Sequence, residues 1–303
     1  LVVIDGLDVY ELAVFKDPAT GEPRLACGCW DEKLRIFDPV AGGEALIVID
    51  VCGEVKALVV FEDPATGALR LASGSDEKKV CVFDPVVGGE ALLVLEVGAE
   101  VSALAVFADP ATGAPRLACG TTEVLLNADE VVGGKVRIYD PAAGGEALVV
   151  LEGHAGSVSA LTVFKDAATG GLRLASGDEN GSVRFWDLAA GGAALFMLQG
   201  HTSIVKALKA FADPATGETR LASGSGKTLG VWDASKGGAA LLVVAFEDKV
   251  NSLTVGRDTS GLFVAFGKRW GELRIESGTT PLTLACYQAD IDTIRSLLQQ
   301  GAG

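Results

Sequence analysis

The side chains best suited to catalysis in this sequence are two histidines, each preceded by glycine. His154 and His201 are the only histidines in the chain. Each is followed 22 residues later by a serine in a repeated Leu-Ala-Ser-Gly segment, Ser176 and Ser223. A histidine, a serine and an acidic group can form a nucleophile system in which the histidine activates the serine hydroxyl.

Two observations favour a structural role for these residues. Each serine lies inside a predicted strand, and the same arrangement recurs in imperfect form along the chain. The turn after Ser223 is also one residue shorter than the turn after Ser176, and it lacks an acid. No metal-ligand cluster, phosphate-binding glycine loop or carboxylate pair stands out from the repeats. We therefore predict a protein that is not an enzyme, with no catalytic residue, metal site or cofactor.

The cysteines give no sign of a disulfide framework or a zinc site, because their spacings match neither pattern. We expect small buried thiols in a reducing compartment, which favours a cytoplasmic location. No signal peptide is visible, and no apolar run is long enough to cross a bilayer, so we expect no membrane partner. Because the first residue is Leu1 and not Met, we expect the full protein to start further upstream. The six cysteines are Cys27, Cys29, Cys52, Cys81, Cys119 and Cys286.

The charge balance argues against nucleic acid as a partner. The chain has 25 Lys and Arg against 40 Asp and Glu, a formal net charge of −15. Such a field repels phosphate backbones, and no run of basic residues overrides it locally. Acidic pairs in equivalent turns, such as Asp76-Glu77, are expected to be solvated turn residues, with a surface for basic partners as the alternative.

An internal repeat organises most of the chain. Five copies of a segment resembling Phe-Ala-Asp-Pro-Ala-Thr-Gly, followed by Arg-Leu-Ala-Ser-Gly or a close variant, each precede an aromatic–Asp pair. Successive aromatic–Asp pairs are 46, 56, 47 and 46 residues apart. A degenerate sixth copy ends near Ile275. The five pairs are Phe37-Asp38, Phe83-Asp84, Tyr139-Asp140, Trp186-Asp187 and Trp232-Asp233.

Each repeat contains four short apolar runs separated by turn residues. In the fourth copy these are Val158–Phe164, Leu172–Gly177, Ser182–Trp186 and Ala194–Leu198. The Asp-Pro-Ala-Thr-Gly segment between the first two runs is typical of a turn, since proline presets φ and glycine allows positive φ. Four strands in a period of about 46 residues are the signature of a propeller blade.

The Trp-Asp pairs, the Gly153-His154 and Gly200-His201 dipeptides and the Leu-Ala-Ser-Gly strand resemble the WD-repeat family over residues 1–276. The resemblance implies an all-β, six-bladed WD-repeat β-propeller. Leu1–Ile4, which match the outermost strand, would complete the last blade and close the ring. Seven blades are the alternative if the chain is truncated.

The same resemblance implies a hydrogen-bond network in which the histidine contacts a serine of the second strand. An Asp in the following turn and the Trp of the third strand complete it. In the fourth copy Asn180 stands in the Asp place. The residues implied are His154, Ser176, Asn180 and Trp186 in the fourth copy and His201, Ser223 and Trp232 in the fifth.

Residues 277–303 carry a different pattern. Apolar residues at Ile291, Ile294, Leu297 and Leu298 have helical spacing, and Gly301 is placed to end that helix. The segment resembles one ankyrin repeat opened by Thr280-Pro281-Leu282, with Thr283 where that family usually has His. Because one repeat cannot bury its own apolar face, we expect either packing on the propeller or an array that continues beyond this chain.

Two departures from the repeat are candidates for partner binding. The third copy is about ten residues longer within Thr121–Gly134, in a loop on the face of the Gly-His turns. It could be a recognition element or a tolerated surface insertion. Tryptophans also stand in equivalent turns of the first and sixth copies. In a closed six-bladed ring these copies are neighbours, so we expect the two indole rings to form one patch on the top face, and exposed Trp beside Arg is typical of interface hot spots. Alternatively, each Trp folds over its own hairpin. The candidates are Val124, Leu125, Leu126, Asp129 and Glu130 in the insertion, and Trp30, Lys268, Arg269 and Trp270 in the turns.

These features favour a protein–protein interaction scaffold that binds partner proteins or peptides through the top face of a monomeric propeller. The step from fold to binding follows from the family resemblance. An alternative is an enzyme or small-molecule site at the channel mouth, although first-strand segments such as Val55-Lys56-Ala57 supply few suitable polar residues there. A third hypothesis is a sensor region of a larger multidomain protein.

Overall fold

The computed structural model describes residues 7–51, 53–124, 131–213, 216–246, 249–258, 261–266, 271–275 and 286–288. The regular structure in these ranges is β-strand throughout. Within them, no helix long and apolar enough to cross a membrane occurs. The chain divides into two compact units, Leu1–Leu161 with Leu188–Ala193, and Thr162–Asp187 with Ala194–Gly303.

The first unit holds three antiparallel sheets, each built from four consecutive strands in chain order. Within each sheet, every strand pairs with the strand that follows it in the chain. The first sheet contains β1 (Val9–Lys16), β2 (Pro23–Cys29), β3 (Lys33–Phe37) and β4 (Ile47–Asp50). The second contains β5 (Val55–Glu62), β6 (Leu69–Ser75), β7 (Lys79–Phe83) and β8 (Leu93–Glu96). The third contains β9 (Glu100–Ala108), β10 (Pro115–Val124), β11 (Val131–Tyr139) and β12 (Val149–His154).

Three further four-stranded sheets follow in the described residues, again in chain order. The fourth sheet begins with β13, whose residues span the boundary between the two units. Its strands are β13 (Val158–Lys165), β14 (Leu172–Asp178), β15 (Val183–Asp187) and β16 (Phe196–Leu198). The fifth sheet has β17 (Val205–Ala212), β18 (Thr219–Ser225), β19 (Thr228–Asp233) and β20 (Leu242–Ala245). The sixth has β21 (Leu253–Asp258), β22 (Gly261–Phe266), β23 (Gly271–Ile275) and β24 (Cys286–Gln288).

A valine-on-glycine contact joins successive sheets within each unit and explains the glycine of the Leu-Ala-Ser-Gly segment. Val55 lies over Gly28, where a Cβ would come 2.4 Å from the valine Cγ1. Val101 lies over Gly74 in the same way, at 2.5 Å. Any side chain at these glycines would displace the neighbouring sheet, because real Cβ atoms do not approach this closely. Equivalent contacts are Val158 over Gly120 in the first unit, and Val205 over Gly177 and Val250 over Gly224 in the second.

An ion-pair cluster links the turn after the first strand to the turn after the third strand in the first, second, third and fifth repeats. Arg116 on β10 lies 3.1 Å from the carboxylate of Asp109, in the Asp-Pro turn, and 3.1 Å from that of Asp140, after β11. Arg24 and Arg70 in the first unit and Arg220 in the second form the same cluster. These contacts explain why the repeat keeps an Asp at both positions and an Arg between them.

The insertion in the third repeat lengthens a hairpin. β10 has ten residues and β11 has nine, whereas β6 and β7 have seven and five. The added segment therefore continues the antiparallel pairing, with Glu123 opposite Gly133, where the sequence predicts a surface loop. Thr121 is fully buried, and its hydroxyl donates to the Lys135 carbonyl at 3.1 Å.

The sixth sheet differs from the expected arrangement at its outer edge. There β24 pairs with β23, with Tyr287 opposite Glu272. This edge is the one for which Leu1–Ile4 are predicted, and those four residues lie outside the described part of the chain. Cys286–Gln288 belong to the segment predicted to be ankyrin-like, and they form a strand. Its helix expected around Ile291–Leu298 lies outside the described residues.

Candidate interaction site

Trp30 occupies the turn between β2 and β3 and is 55% exposed. Its backbone N–H donates to the Asp8 carbonyl at 3.0 Å, which holds the turn against the chain that leads into β1. Glu32 follows with a positive φ of 59°, as Lys78 does in the equivalent turn of the second sheet. A large aromatic side chain is therefore presented to solvent by a turn whose backbone is fixed.

The neighbours of Trp30 come from β-bulges. In the pairing of β1 with β2 the register shifts between Val9 and Glu11, so that Tyr10 is an extra residue. In β5 the same shift occurs between Val55 and Ala57 and makes Lys56 the extra residue. A bulge redirects the side chain of the added residue. Tyr10 and Lys56 thus occupy equivalent bulges of neighbouring sheets.

These residues form an aromatic–cation cluster at the surface of the first unit. The ring centroids of Tyr10 and Trp30 are 5.7 Å apart, and the ring planes are tilted by 50°. The Lys56 ammonium lies 4.2 Å from the Tyr10 centroid and 5.6 Å from the Trp30 centroid. Both distances fall within the range of about 6 Å at which a cation is attracted to an aromatic face. We call these three residues the Tyr10–Trp30–Lys56 cluster.

Carboxylates surround the cluster. Glu54 forms an ion pair with Lys56. Burial lowers the pKa of Lys56, but interactions with Glu54 and Tyr10 outweigh it, so the net pKa lies above the usual value and the ammonium stays charged. Asp31 accepts two hydrogen bonds from Arg35, at 2.9 and 2.5 Å. The Arg35 hydrogen bonds are the main reason that the pKa of Asp31 is lowered.

The outer face of β1 is more exposed than its equivalents in the other sheets. Val9 is 40% exposed, whereas Val55 and Val101 are completely buried. Leu12 and Val14, further along β1, are also exposed. An apolar strip therefore extends from the Tyr10–Trp30–Lys56 cluster along this strand.

Most other predicted partner-binding residues lie outside the described part of the chain. This applies to the tryptophan in the turn of the sixth repeat and its two basic neighbours, and to most of the insertion in the third repeat. Val124 is the last residue of β10. The predicted pairing of Trp30 with Trp270 therefore stays a prediction, and the aromatic neighbour found for Trp30 is Tyr10. The residues outside are Leu125, Leu126, Asp129, Glu130, Lys268, Arg269 and Trp270.

The structure brings together the three residues expected to form a network in the fifth repeat. His201 Nε2 lies 2.6 Å from Ser223 Oγ, and Trp232 Nε1 donates to the same oxygen at 2.7 Å. His201 Nδ1 lies 3.2 Å from Thr228 Oγ1, whose hydroxyl donates to the Ser225 carbonyl at 2.8 Å. Thr228 thus takes the position in the network that an acidic turn residue is expected to fill and that the fifth repeat lacks.

The donors and acceptors of this network fit one chain of hydrogen bonds. Because the Thr228 hydroxyl donates to a carbonyl, its oxygen is free to accept from His201 Nδ1–H, and Nε2 then accepts from the Ser223 hydroxyl. This tautomer is neutral. Burial lowers the pKa of His201, which favours the same state. Ser223 is completely buried and holds the Trp232 indole, an arrangement suited to holding the sheet together and not to attacking a substrate.

The fourth repeat shares part of this arrangement. Trp186 Nε1 donates to Ser176 Oγ at 2.8 Å, and His154 is buried in β12. The turn position that was predicted to complete the network differs from the prediction, because Asn180 is exposed. The buried acid of this turn is Asp178, whose carboxylate accepts the backbone N–H groups of Asn180 at 3.0 Å and Ser182 at 2.9 Å.

Four cysteines of the first unit are buried free thiols. Burial raises the pKa of Cys27 to about 11 and also raises the pKa values of Cys29 and Cys119, so these thiols are protonated near neutral pH. Among the described residues, no group of three or more His, Cys, Asp or Glu side chains is placed to hold a metal ion. The four thiols are Cys27, Cys29, Cys81 and Cys119.

Comparison with known proteins identifies part of the chain. A search of curated proteins finds none that matches. Among solved structures, the chain is similar to the crystal structure of the computationally designed Ika8 protein, with a TM-score of 0.62 and 22% identity over 93% of this chain and 76% of that one. At this identity the similarity concerns the fold alone. The sequence model of the family described as WD domain, G-beta repeat, matches residues 145–187 and 192–233. These two segments contain both Trp-Asp pairs, and their match to the model supports a WD-repeat family.

Proposed function

We propose that this chain is a non-catalytic scaffold that binds other proteins or peptides through the surface around Trp30. WD repeats generally mediate protein–protein interactions. The single observation that carries the proposal is the exposure of Trp30 and Tyr10, side by side, on a turn and a bulge of the first sheet. Trp and Tyr are enriched among the residues that dominate binding energy at protein interfaces.

The proposed architecture is a monomeric, six-bladed propeller in the cytoplasm. In a closed ring a neighbouring sheet would cover Val9, Leu12 and Val14, just as Val55 is covered by contact with Gly28. The apolar strip of β1 is then a packing surface of the ring. The Tyr10–Trp30–Lys56 cluster, at the ends of its strands, is left for partners.

The ring can be tested with a pair of matched substitutions. Leu12 and Leu46 are 52% and 56% exposed. If a neighbouring sheet covers Leu12, Leu12→Asp buries a charge and lowers the free energy of unfolding by about 3 kcal/mol or more. Leu46→Asp, in the turn before β4, is expected to change it by less than about 0.5 kcal/mol. Equal effects of the two substitutions in urea unfolding would contradict closure over β1.

The binding surface can be tested by affinity purification of the wild-type chain and two variants. Trp30→Ala removes the exposed indole, and Leu148→Ala removes an equally exposed leucine, also 55% accessible, elsewhere in the first unit. We expect a partner that the wild type and Leu148→Ala retain and Trp30→Ala loses. Partners retained equally by all three proteins, at equal thermal stability, would place the binding surface elsewhere.

A further inference from the structure

The Tyr10–Trp30–Lys56 cluster has the geometry of a cation site that the protein fills with its own lysine. Two rings tilted by 50° form an open cleft, and one ammonium contacts both ring faces. Because the rings are about half exposed, a second molecule can reach them.

This cluster is a local specialisation and not part of the repeat. The bulge position of Tyr10 is occupied by Lys56 in β5 and by Lys206 in β17. The turn position of Trp30 corresponds to Asp76 in the second sheet, whose carboxylate accepts the Glu54 backbone N–H at 2.9 Å. The fold therefore needs neither ring, so a role in sheet formation does not account for the aromatic pair.

The surrounding charge favours a positively charged ligand. Asp8 lines a shallow depression against Trp30 together with Asp31, whose charge is paired with Arg35. Glu54 lies beside the Lys56 ammonium. The whole chain carries a net charge of −15, which attracts basic partners over longer distances.

We propose that the Tyr10–Trp30 pair binds a lysine or arginine side chain of a partner protein, in competition with Lys56. This inference rests on the scaffold proposed above and names the chemistry that its surface recognises. Lys56 then acts as an internal competitor: its ammonium occupies the ring faces until a partner's cation replaces it, while Glu54 keeps the displaced ammonium nearby.

The test compares two capped tripeptides, Gly-Lys-Gly and Gly-norleucine-Gly, which differ in the ammonium group. Binding to the full chain is followed by NMR shifts of the Tyr10 and Trp30 ring signals at low ionic strength. Lys56→Met keeps the length of the side chain and removes the internal cation. Lys79→Met removes one charge from the same sheet and serves as a control for net charge.

We expect Lys56→Met to bind the lysine peptide about 3- to 10-fold more tightly than the wild type or Lys79→Met does, as the strength of one cation–π contact implies. Adding Trp30→Ala to Lys56→Met is expected to weaken binding by a similar factor. Equal affinity of Lys56→Met for the lysine and norleucine peptides would overturn the inference, and so would indifference to Trp30→Ala.

The scaffold and the cation site can fail separately. A captured partner that depends on Trp30 but retains its affinity when its lysines and arginines are replaced would leave the scaffold standing and contradict the cation site. Binding of the lysine peptide as expected, without any partner that depends on Trp30, would support the cation site and contradict the scaffold.

Discussion

Replacement of Ser223 by alanine is the sharpest test of the buried network in the fifth repeat. The Ser223 hydroxyl accepts a hydrogen bond from Trp232 Nε1 at 2.7 Å and lies 2.6 Å from His201 Nε2. Removing it leaves the indole N–H without this acceptor in a side chain that is 2% exposed. A buried donor left unpaired costs about 1–3 kcal/mol, and the lost contact to the partly exposed histidine adds about 1 kcal/mol.

We therefore expect Ser223→Ala to lower the free energy of unfolding by about 2–4 kcal/mol. Ser73→Ala is the matched control, because Ser73 is the equivalent buried residue of β6. Its hydroxyl has only a 3.5 Å contact with the Cys81 carbonyl, which is too long for a strong hydrogen bond. The control is expected to lose less than about 1 kcal/mol.

Urea unfolding measured by fluorescence gives the global effect, and hydrogen exchange of residues 219–233 gives the local effect. Hydrogen exchange reports on local opening, so the local measurement assigns the loss to the fifth sheet. Equal destabilisation by Ser223→Ala and Ser73→Ala would refute the reasoning, because it would show that the Trp232 and His201 contacts contribute nothing beyond the burial of a small side chain.

Three further predictions concern the same two units. Burial lowers the pKa of His201, so its contribution to stability is present above about pH 6.5 and is lost as the pH falls. The wild type should therefore lose unfolding free energy between pH 7 and pH 5, and His201→Gln should lose less. An equal loss in the two proteins would contradict this role of His201. Gly74→Ala places a Cβ 2.5 Å from Val101 Cγ1 and should lower the free energy of unfolding in urea by about 1–3 kcal/mol. Gly171→Ala, whose Cβ meets only the Thr169 hydroxyl at 3.3 Å, should leave it nearly unchanged. Similar effects of the two substitutions would argue against the close contact. Arg116→Met removes the guanidinium that two carboxylates share and should lower the urea midpoint. High salt should reduce the difference in midpoint between the variant and the wild type. An unchanged midpoint would rule out a stabilising ion-pair cluster.

The strands were predictable because each repeat alternates apolar runs with turn residues. In the fourth copy the predicted runs start and end within two residues of β13, β14, β15 and β16. The hairpin extension was not predictable in the same way. Thr121 and Glu123 lack the apolar alternation of the other strands, and their pairing follows from hydrogen bonds to residues far along the chain, such as Arg137 with Glu123 at 2.6 Å.

The candidate site was predicted only in part. Trp30 stood out because it breaks the repeat, but sequence comparison did not show that Tyr10 and Lys56 approach it. A bulge inserts an extra residue into a strand without altering the period of the repeat, so alignment of β1 with β5 hides the change in direction of both side chains. The available signal was an aromatic residue at Tyr10, in a place where the next copy has Lys56.

The valine-on-glycine contacts also bear on how such a chain can arise. The second to fifth sheets each have a packed glycine on one side and a packed valine on the other, so the two contact surfaces of these repeats are complementary to one another. A gene segment duplicated in tandem therefore encodes a sheet that fits between its neighbours at once, without compensating substitutions. Unequal recombination can lengthen or shorten the array in whole repeats, and each product keeps correctly matched joints. The valine-on-glycine contacts thus allow the number of sheets to change while the sequences of the exposed turns diverge independently.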